Sequence, residues 1–139
     1  MDSGTPKVAV IILTWNGAKW IHACVDSVCN STYPSLDVVV VDNASEDGTP
    51  EIIRTQFPNI QLIETPRNLG FAGGNNVGIR QVLQSDVQYV MLLNQDTIVD
   101  SNWLDVLINS AQKFPDVAVF SPLQYDYEME NLDVVFHNQ

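Results

Sequence analysis

Lys7-Val-Ala-Val-Ile-Ile-Leu-Thr-Trp-Asn-Gly17 is the stretch on which the fold turns. Val8–Leu13 is the longest continuous apolar run in the chain, and four of its residues are β-branched. An uninterrupted run suits a strand covered on both faces, because a strand with one wet face would alternate apolar and polar positions. Strands buried on both sides belong to parallel sheets, whose crossover connections bring helices onto the faces. The run ends in Thr14-Trp-Asn-Gly17, where short hydrogen-bonding and turn-forming residues take over.

The alternation continues downstream. After Gly17, residues Trp20, Ile21, Cys24, Val25 and Val28 recur at one-, three- and four-residue steps, the stripe of an amphipathic helix that stops by Tyr33-Pro34. Leu36–Val41 reads as a second buried strand, and Thr49 ahead of Pro50 predicts a capped helix over 50–57. Ile60–Ile63 reads as a third strand, 72–83 as a helix carrying Ile79, Val82 and Leu83 inward, and Val87–Leu93 as a fourth strand. Trp103, Leu104, Leu107, Ile108, Ala111 and Phe114 form another helical stripe, and Val117–Phe120 reads as a short fifth strand. The expected class is α/β, a mostly parallel sheet with helices on both faces, over residues 7–123. Residues 1–6 are expected to be disordered. Residues 124–139 read as an incomplete C-terminal segment, as if the chain were truncated, and an open sheet edge left in that way would favour self-association.

Composition narrows the function. The 139 residues are 45% hydrophobic and 17% charged, as expected for one globular domain with a real core. Six Lys and Arg against seventeen Asp and Glu give a formal charge of -11, which opposes binding to nucleic-acid phosphates. No run approaches the roughly 20 apolar residues that cross a bilayer, and residues 1–7 lack a signal-peptide pattern. Cys24 and Cys29 lack the spacing of a redox or zinc motif and read as free thiols in a reducing cytosol.

Ligands in open α/β sheets gather outside the carboxyl ends of the strands, so four loops carry the chemistry. The first lacks the Gly-x-Gly-x-x-Gly pattern of a dinucleotide site, and Thr14 and Asn16 instead offer side chains suited to a base or ribose. Asn16 serves equally well as a turn residue. The second loop begins with Asp42, an acceptor-only group able to take a pyrimidine imino hydrogen or a ribose hydroxyl, while the acids after it suit caps and Asx-turns. The third, Arg67-Asn-Leu-Gly-Phe-Ala-Gly-Gly-Asn-Asn76, opens a helix with glycines and asparagines, a setting that suits a phosphate. Arg67 adds a planar fork of donors, or pairs structurally with a carboxylate such as Glu64. The fourth loop holds Asn94 and Asp96, two residues apart in an extended segment, which can direct two oxygen donors at one hard cation such as Mg²⁺ or Mn²⁺.

Taken in order, Val8–Asn16, Val39–Ser45 with Gly48, Arg67–Gly78 and Leu92–Thr97 resemble the inverting glycosyltransferases of family 2, with the GT-A nucleotide-sugar fold. The resemblance covers the chain from Lys7 to about Leu123. It implies that Thr14, Asn16 and Asp42 contact the base and ribose of a UDP- or dTDP-sugar. It also implies that Arg67, Asn68, Gly70, Gly73, Asn75 and Asn76 form the nucleotide-side loop. Asn94 and Asp96 stand where the family has its Asp-x-Asp metal motif, and the Asn variant is similar to rhamnosyltransferase-like members. The resemblance further implies transfer with inversion to a saccharide or lipid-linked acceptor for cell-surface polysaccharide, in the cytoplasm or peripherally at the inner face of a membrane.

No general base is found. Asp126, Glu128 and Glu130 are acids in a poorly patterned tail, and nothing after Asp96 matches the family's base, which leaves a non-catalytic nucleotide-binding module of the same fold as the alternative. A signalling receiver domain fails at two of its three sites, with Thr14-Trp15-Asn16 after the first strand and Ser121-Pro122 after the fifth.

Overall fold

A computed structural model describes residues 4–126, 128 and 130. Their element order is β1 (Val8–Thr14), α1 (Ile21–Cys29), β2 (Leu36–Asp42), α2 (Thr49–Gln56), β3 (Gln61–Glu64), α3 (Gly70–Val82), β4 (Tyr89–Asn94) and α4 (Trp103–Lys113). The four strands form one all-parallel sheet in the order β3-β2-β1-β4. Two compact units divide the chain, one ending at Asn102 and the other starting at Trp103.

Strand order fixes where the helices go. From β1 to β2 to β3 the chain steps one way across the sheet, and from β3 to β4 it returns past β2 and β1. Right-handed crossovers therefore put α1 and α2 on one face and α3 on the other. Residue burial agrees. Ala9, Ile11, Val39 and Val41 pack with Val82 of α3, and Leu13, Ile63, Val77 and Ile79 border them. Val8, Val10, Ile12 and Val40, on the opposite face, are equally sealed, and α1 and α2 pack on one another. The uninterrupted apolar run of β1 is thus explained by cover on both sides.

Glycines set how closely α3 approaches. Its buried positions are Gly74, Asn75, Gly78 and Val82, and a Cβ on Gly74 would lie 2.4 Å from Leu13 Cδ1. Gly70–Asn76 is therefore the first two turns of a helix pressed against the sheet, rather than a loop. The expected inward set needs correction at Leu83, which is 63% exposed just beyond the helix.

Three further expectations change. Thr49 is the first residue of α2 instead of its cap; Gly48, with φ 84°, precedes it. The fifth strand at Val117–Phe120 is absent: these residues have no ladder partner among those described, and Val119 is 83% exposed. β-propensity without a neighbouring strand leaves irregular backbone. In the second unit α4 buries Trp103, Leu104, Ile108 and Ala111, but Phe114 lies past its end and is exposed. Of the expected disordered start, residues 1–3 lie outside those described, while the Pro6 carbonyl accepts a hydrogen bond from the Tyr33 hydroxyl at 2.7 Å. Most of the final segment, including Val134–His137, also lies outside the described residues.

Candidate functional site

The order β3-β2-β1-β4 reverses its direction of growth between β1 and β4, and a crevice opens at the carboxyl ends of such a pair. Register decides what reaches it. Thr14 lies beside Asp42, and Leu13 lies between Val41 and Asn94. Thr14 and Asp42 thus share one face of the sheet, while Asn94 shares the α3 face with Leu13.

Asp42 is 1% exposed. Its Oδ2 accepts from the Ser45 amide at 3.0 Å, whereas Oδ1 is buried with no hydrogen-bond partner among the described residues. A buried carboxylate oxygen left in that state costs free energy until a donor reaches it. Asn75 Oδ1 is likewise buried and unpartnered, its Nδ2 donating to the Phe71 carbonyl at 3.0 Å.

Asn16 takes the structural alternative. With φ 48° it turns the chain after β1, its amide donates to Ser45 Oγ at 2.8 Å, and its Oδ1 accepts from the Glu46 amide at 2.8 Å. The neighbouring Gly17 amide donates to Thr49 Oγ1 at 2.9 Å, and the Ala18 amide donates to Asp47 Oδ2 at 2.9 Å. Burial pushes the Asp47 carboxyl up, but the Thr49 hydroxyl and the Ala18 and Thr49 amides outweigh it and hold Asp47 below the usual carboxylate range. The β1 and β2 loops are therefore one hydrogen-bonded unit.

Sequence reasoning missed Asn43. This side chain, 3% exposed, accepts from the Leu69 amide at 2.8 Å and donates to Asn68 Oδ1 at 2.9 Å and the Gly70 carbonyl at 3.2 Å. Asn68 Oδ1 also accepts from the Gly70 amide at 2.8 Å. Asn43 and Asn68 thus satisfy the amides of Leu69 and Gly70 at the start of α3. The only signal in the sequence was the position of Asn43, directly after Asp42.

Arg67 is exposed, and its guanidinium has no ion pair among the described residues. The pairing with Glu64 does not form, because Arg54 takes that carboxylate. Gly70, with φ 73°, starts α3; Gly73 is inside it with Leu69 Cβ close by, and Asn76 is exposed. Asn94 and Asp96 are both exposed, and Asp96 has neither a hydrogen bond nor an ion pair among the described residues. The described residues contain no cluster of three or more His, Cys, Asp or Glu able to hold a metal by themselves.

Gln95, between those two residues, was also missed. Its Oε1 accepts from the Thr14 hydroxyl at 2.6 Å and the Trp15 amide at 2.9 Å, and its Nε2 donates to the Trp15 carbonyl at 3.2 Å. The expected extended segment ends at Asn94: Gln95 and Asp96 form a turn closed by the Thr97 amide donating to the Asn94 carbonyl at 3.2 Å, so alternation along a strand does not relate Asn94 to Asp96 and no local pattern marks Gln95. Beneath this loop the Cys24 thiol meets the Asn94 carbonyl at 3.5 Å, and burial pushes its pKa up to about 12. Both cysteines are free. Asp126, Glu128 and Glu130 belong to the second unit, where the Glu130 amide donates to Asp126 Oδ1 at 2.9 Å.

A cleft of about 770 Å³ lies at the opposite end of the sheet, among Leu36, Asp37, Gln61 and Ser85. Its one charged lining residue, Asp37, is paired with Lys7 at 3.1 Å. The strand ends that carry ligands in this architecture are on the other side, so the cleft is not the candidate site.

A doubly wound sheet with an unpartnered acidic acceptor after β2, a glycine-packed helix after β3 and an oxygen-rich loop after β4 defines a GT-A glycosyltransferase fold. Residues 9–134 match the model of the family described as Glycosyl transferase family 2, and the chain belongs to that family. Glycosyltransferase AglE of Haloferax volcanii is 36% identical over 110 residues, which cover 76% of this chain and 35% of that protein. The N-acetylglucosaminyl-diphospho-decaprenol L-rhamnosyltransferase of Mycobacterium tuberculosis is 26% identical over 130 residues, covering 88% and 42%. The mannosyltransferase PcManGT of Pyrobaculum calidifontis, solved with GDP-Man and Mn²⁺, is 31% identical with a TM-score of 0.68, over 84% of this chain and 34% of that one. The chain thus spans 35–42% of the length of the two curated relatives. Among the described residues no helix is long and apolar enough to cross a membrane.

Proposed function

We propose that this chain forms the donor site of an inverting, metal-dependent glycosyltransferase that takes its sugar from a nucleoside diphosphate, with UDP- and dTDP-sugars as the expected donors. The observation that carries the reading is the buried Oδ1 of Asp42, without a partner among the described residues, at the carboxyl end of β2 beside Thr14 of β1. An imino N–H of the base or a ribose hydroxyl supplies the donor that this oxygen lacks. Thr14 shares its face and keeps the lone pairs of a buried hydroxyl for the same nucleoside. Asn16 shapes the loop around them.

On the diphosphate side, the guanidinium of Arg67, without an ion pair among the described residues, would offer two parallel N–H donors, and the amides of the first turn of α3 would add to them. Asn68 and Gly70 set the start of that helix, Gly73 and Asn75 belong to its first turns, and the exposed Asn76 is available to ligand. Asn94 and Asp96 supply an amide oxygen and a carboxylate, hard donors that suit Mg²⁺ or Mn²⁺ when phosphate oxygens complete the shell. Held by Asn94 and Asp96, such an ion would supply positive charge to offset that of the departing nucleoside diphosphate. The acceptor hydroxyl would attack the anomeric carbon from the opposite side, inverting it, and no residue of this chain is assigned as the base.

A saccharide or lipid-linked acceptor, met in the cytoplasm at the inner face of a membrane, completes the reading; the decaprenol-linked substrate in the mycobacterial relative's name supports the lipid-linked class. Titration calorimetry with UDP, dTDP and GDP, with and without Mn²⁺, tests it. UDP or dTDP should bind, and binding should tighten with Mn²⁺ in the wild type but not in Asp96→Ala. Absence of nucleotide binding by the folded chain overturns the proposal.

A further inference from the structure

Three hydrogen bonds converge on the Gln95 carboxamide, and all three join it to Thr14 at the end of β1 and to Trp15 just after it. The chemistry fixes which end points where. The Trp15 amide can only donate and must meet Oε1, while the Trp15 carbonyl can only accept and must meet Nε2. The Thr14 hydroxyl, 0% exposed, adds its proton to the same oxygen. Opposite this group stands Gly17, where a Cβ would lie 2.2 Å from Gln95 Oε1 and 2.5 Å from Thr14 Oγ1. The space between the loops is therefore shaped around a carboxamide of this length.

We propose that Gln95 is the positioning residue of the donor site, holding the nucleoside-side loop Thr14–Gly17 in register with the loop that carries Asn94 and Asp96. This inference rests on the donor-site reading. Gln95 contributes no ligand contact of its own; it fixes the hydroxyl of Thr14 and both main-chain polar groups of Trp15 from the neighbouring strand. A Glu of equal length keeps the two acceptor bonds and loses the one donated to the Trp15 carbonyl. An Ala loses all three and leaves the buried Thr14 hydroxyl without its acceptor.

The two loops can be separated experimentally, because the metal acts on the phosphates and Asp42 on the nucleoside. UDP affinity is measured by calorimetry in EDTA and in Mn²⁺ for wild type, Asp96→Ala, Gln95→Ala and Gln95→Glu, alongside thermal melts without ligand. Asp96→Ala should lose only the tightening by Mn²⁺. Gln95→Ala should weaken binding about tenfold in both conditions, the equivalent of one to two net hydrogen bonds. Gln95→Glu should recover part of the affinity in EDTA, and the weakening in Gln95→Ala should persist at temperatures where its melt shows it fully folded, which a general loss of stability would not produce. If wild type binds UDP and the folded Gln95→Ala binds equally well in EDTA, the inference is overturned and the donor site stands. If Gln95→Ala does not fold, a Gln95→Glu variant no tighter in EDTA than one-tenth of wild type overturns it. Failure of the wild type to bind UDP, dTDP or GDP overturns both.

Discussion

Gly78 of α3 and Ile11 of β1 meet with no room for a side chain between them: a Cβ on Gly78 would lie 2.5 Å from Ile11 Cγ2 and 3.1 Å from Val41 Cγ2. Both methyls sit on stiff, fully buried β-branched side chains that cannot swing aside. Gly78→Ala would gain about 1 kcal/mol in helix propensity and lose about 1–3 kcal/mol to overpacking. With such rigid neighbours the second effect wins, and urea unfolding should show a net loss of up to about 2 kcal/mol. Gly74→Ala should cost less, since the atom it meets is the end of the longer Leu13 side chain. A Gly78→Ala protein as stable as wild type would show that α3 is free to shift away from the sheet.

Asp42→Asn should separate stability from binding. The new carboxamide can still accept from the Ser45 amide, and it removes a buried carboxylate whose Oδ1 has no partner. Stability should change by less than about 1 kcal/mol, because removal of the buried charge is offset by a buried amide N–H that finds no acceptor. UDP affinity should fall at least about tenfold, because a bond to a charged acceptor is typically about 1.5–3 kcal/mol. Chemical denaturation and calorimetry on the same sample check the two outcomes, and a parallel fall in both would place Asp42 in the core instead of the site.

The alternation of strands and helices was legible because burial on both faces writes itself as unbroken apolar runs such as Val8–Leu13 and Val38–Val41. The positions of Thr14, Asp42 and Asn94 followed from their places at strand ends. What stayed hidden depends on partners far away in sequence. Gln95 and Thr14 are 81 positions apart, and Asn43 and Leu69 are 26 apart, so no local pattern marks either bond. The glycines of α3 were visible, yet the same residue serves a phosphate cradle and a close helix–sheet contact, and only the distances to Leu13 and Ile11 distinguish them. Val117–Phe120 misled for the opposite reason, since its composition suits a strand but pairing is not a local property.

Asp47 links the first two loops to acid stability. Its folded pKa is depressed, so its contribution is present in full above the unfolded value near 4 and is lost as pH falls through the folded value. Stability should therefore decline below about pH 4, and Asp47→Asn should flatten part of that decline while lowering stability at neutral pH. Asp86, held down chiefly by its hydrogen bond to Lys7, contributes in the same window and should account for some of what remains. Thermal melts from pH 2 to pH 7 check this, and identical pH profiles for wild type and variant would contradict it.

Arg67→Ala tests the diphosphate side without disturbing the fold. The guanidinium is exposed and has no ion pair among the described residues, and Glu64, its nearest candidate in sequence, is held by Arg54. Thermal stability should stay within about 0.5 kcal/mol of wild type, as for a surface change that removes no contact. UDP binding should weaken about tenfold through loss of a charge-assisted bond to phosphate, and uridine binding should be unaffected. Because the chain carries a formal charge of -11, a diphosphate site built as proposed would need this cation and a divalent ion at Asp96 together. Raising ionic strength should consequently weaken UDP binding more in wild type than in Arg67→Ala, since the variant has already lost part of the attraction that salt screens. Equal salt dependence in the two proteins would remove Arg67 from the site.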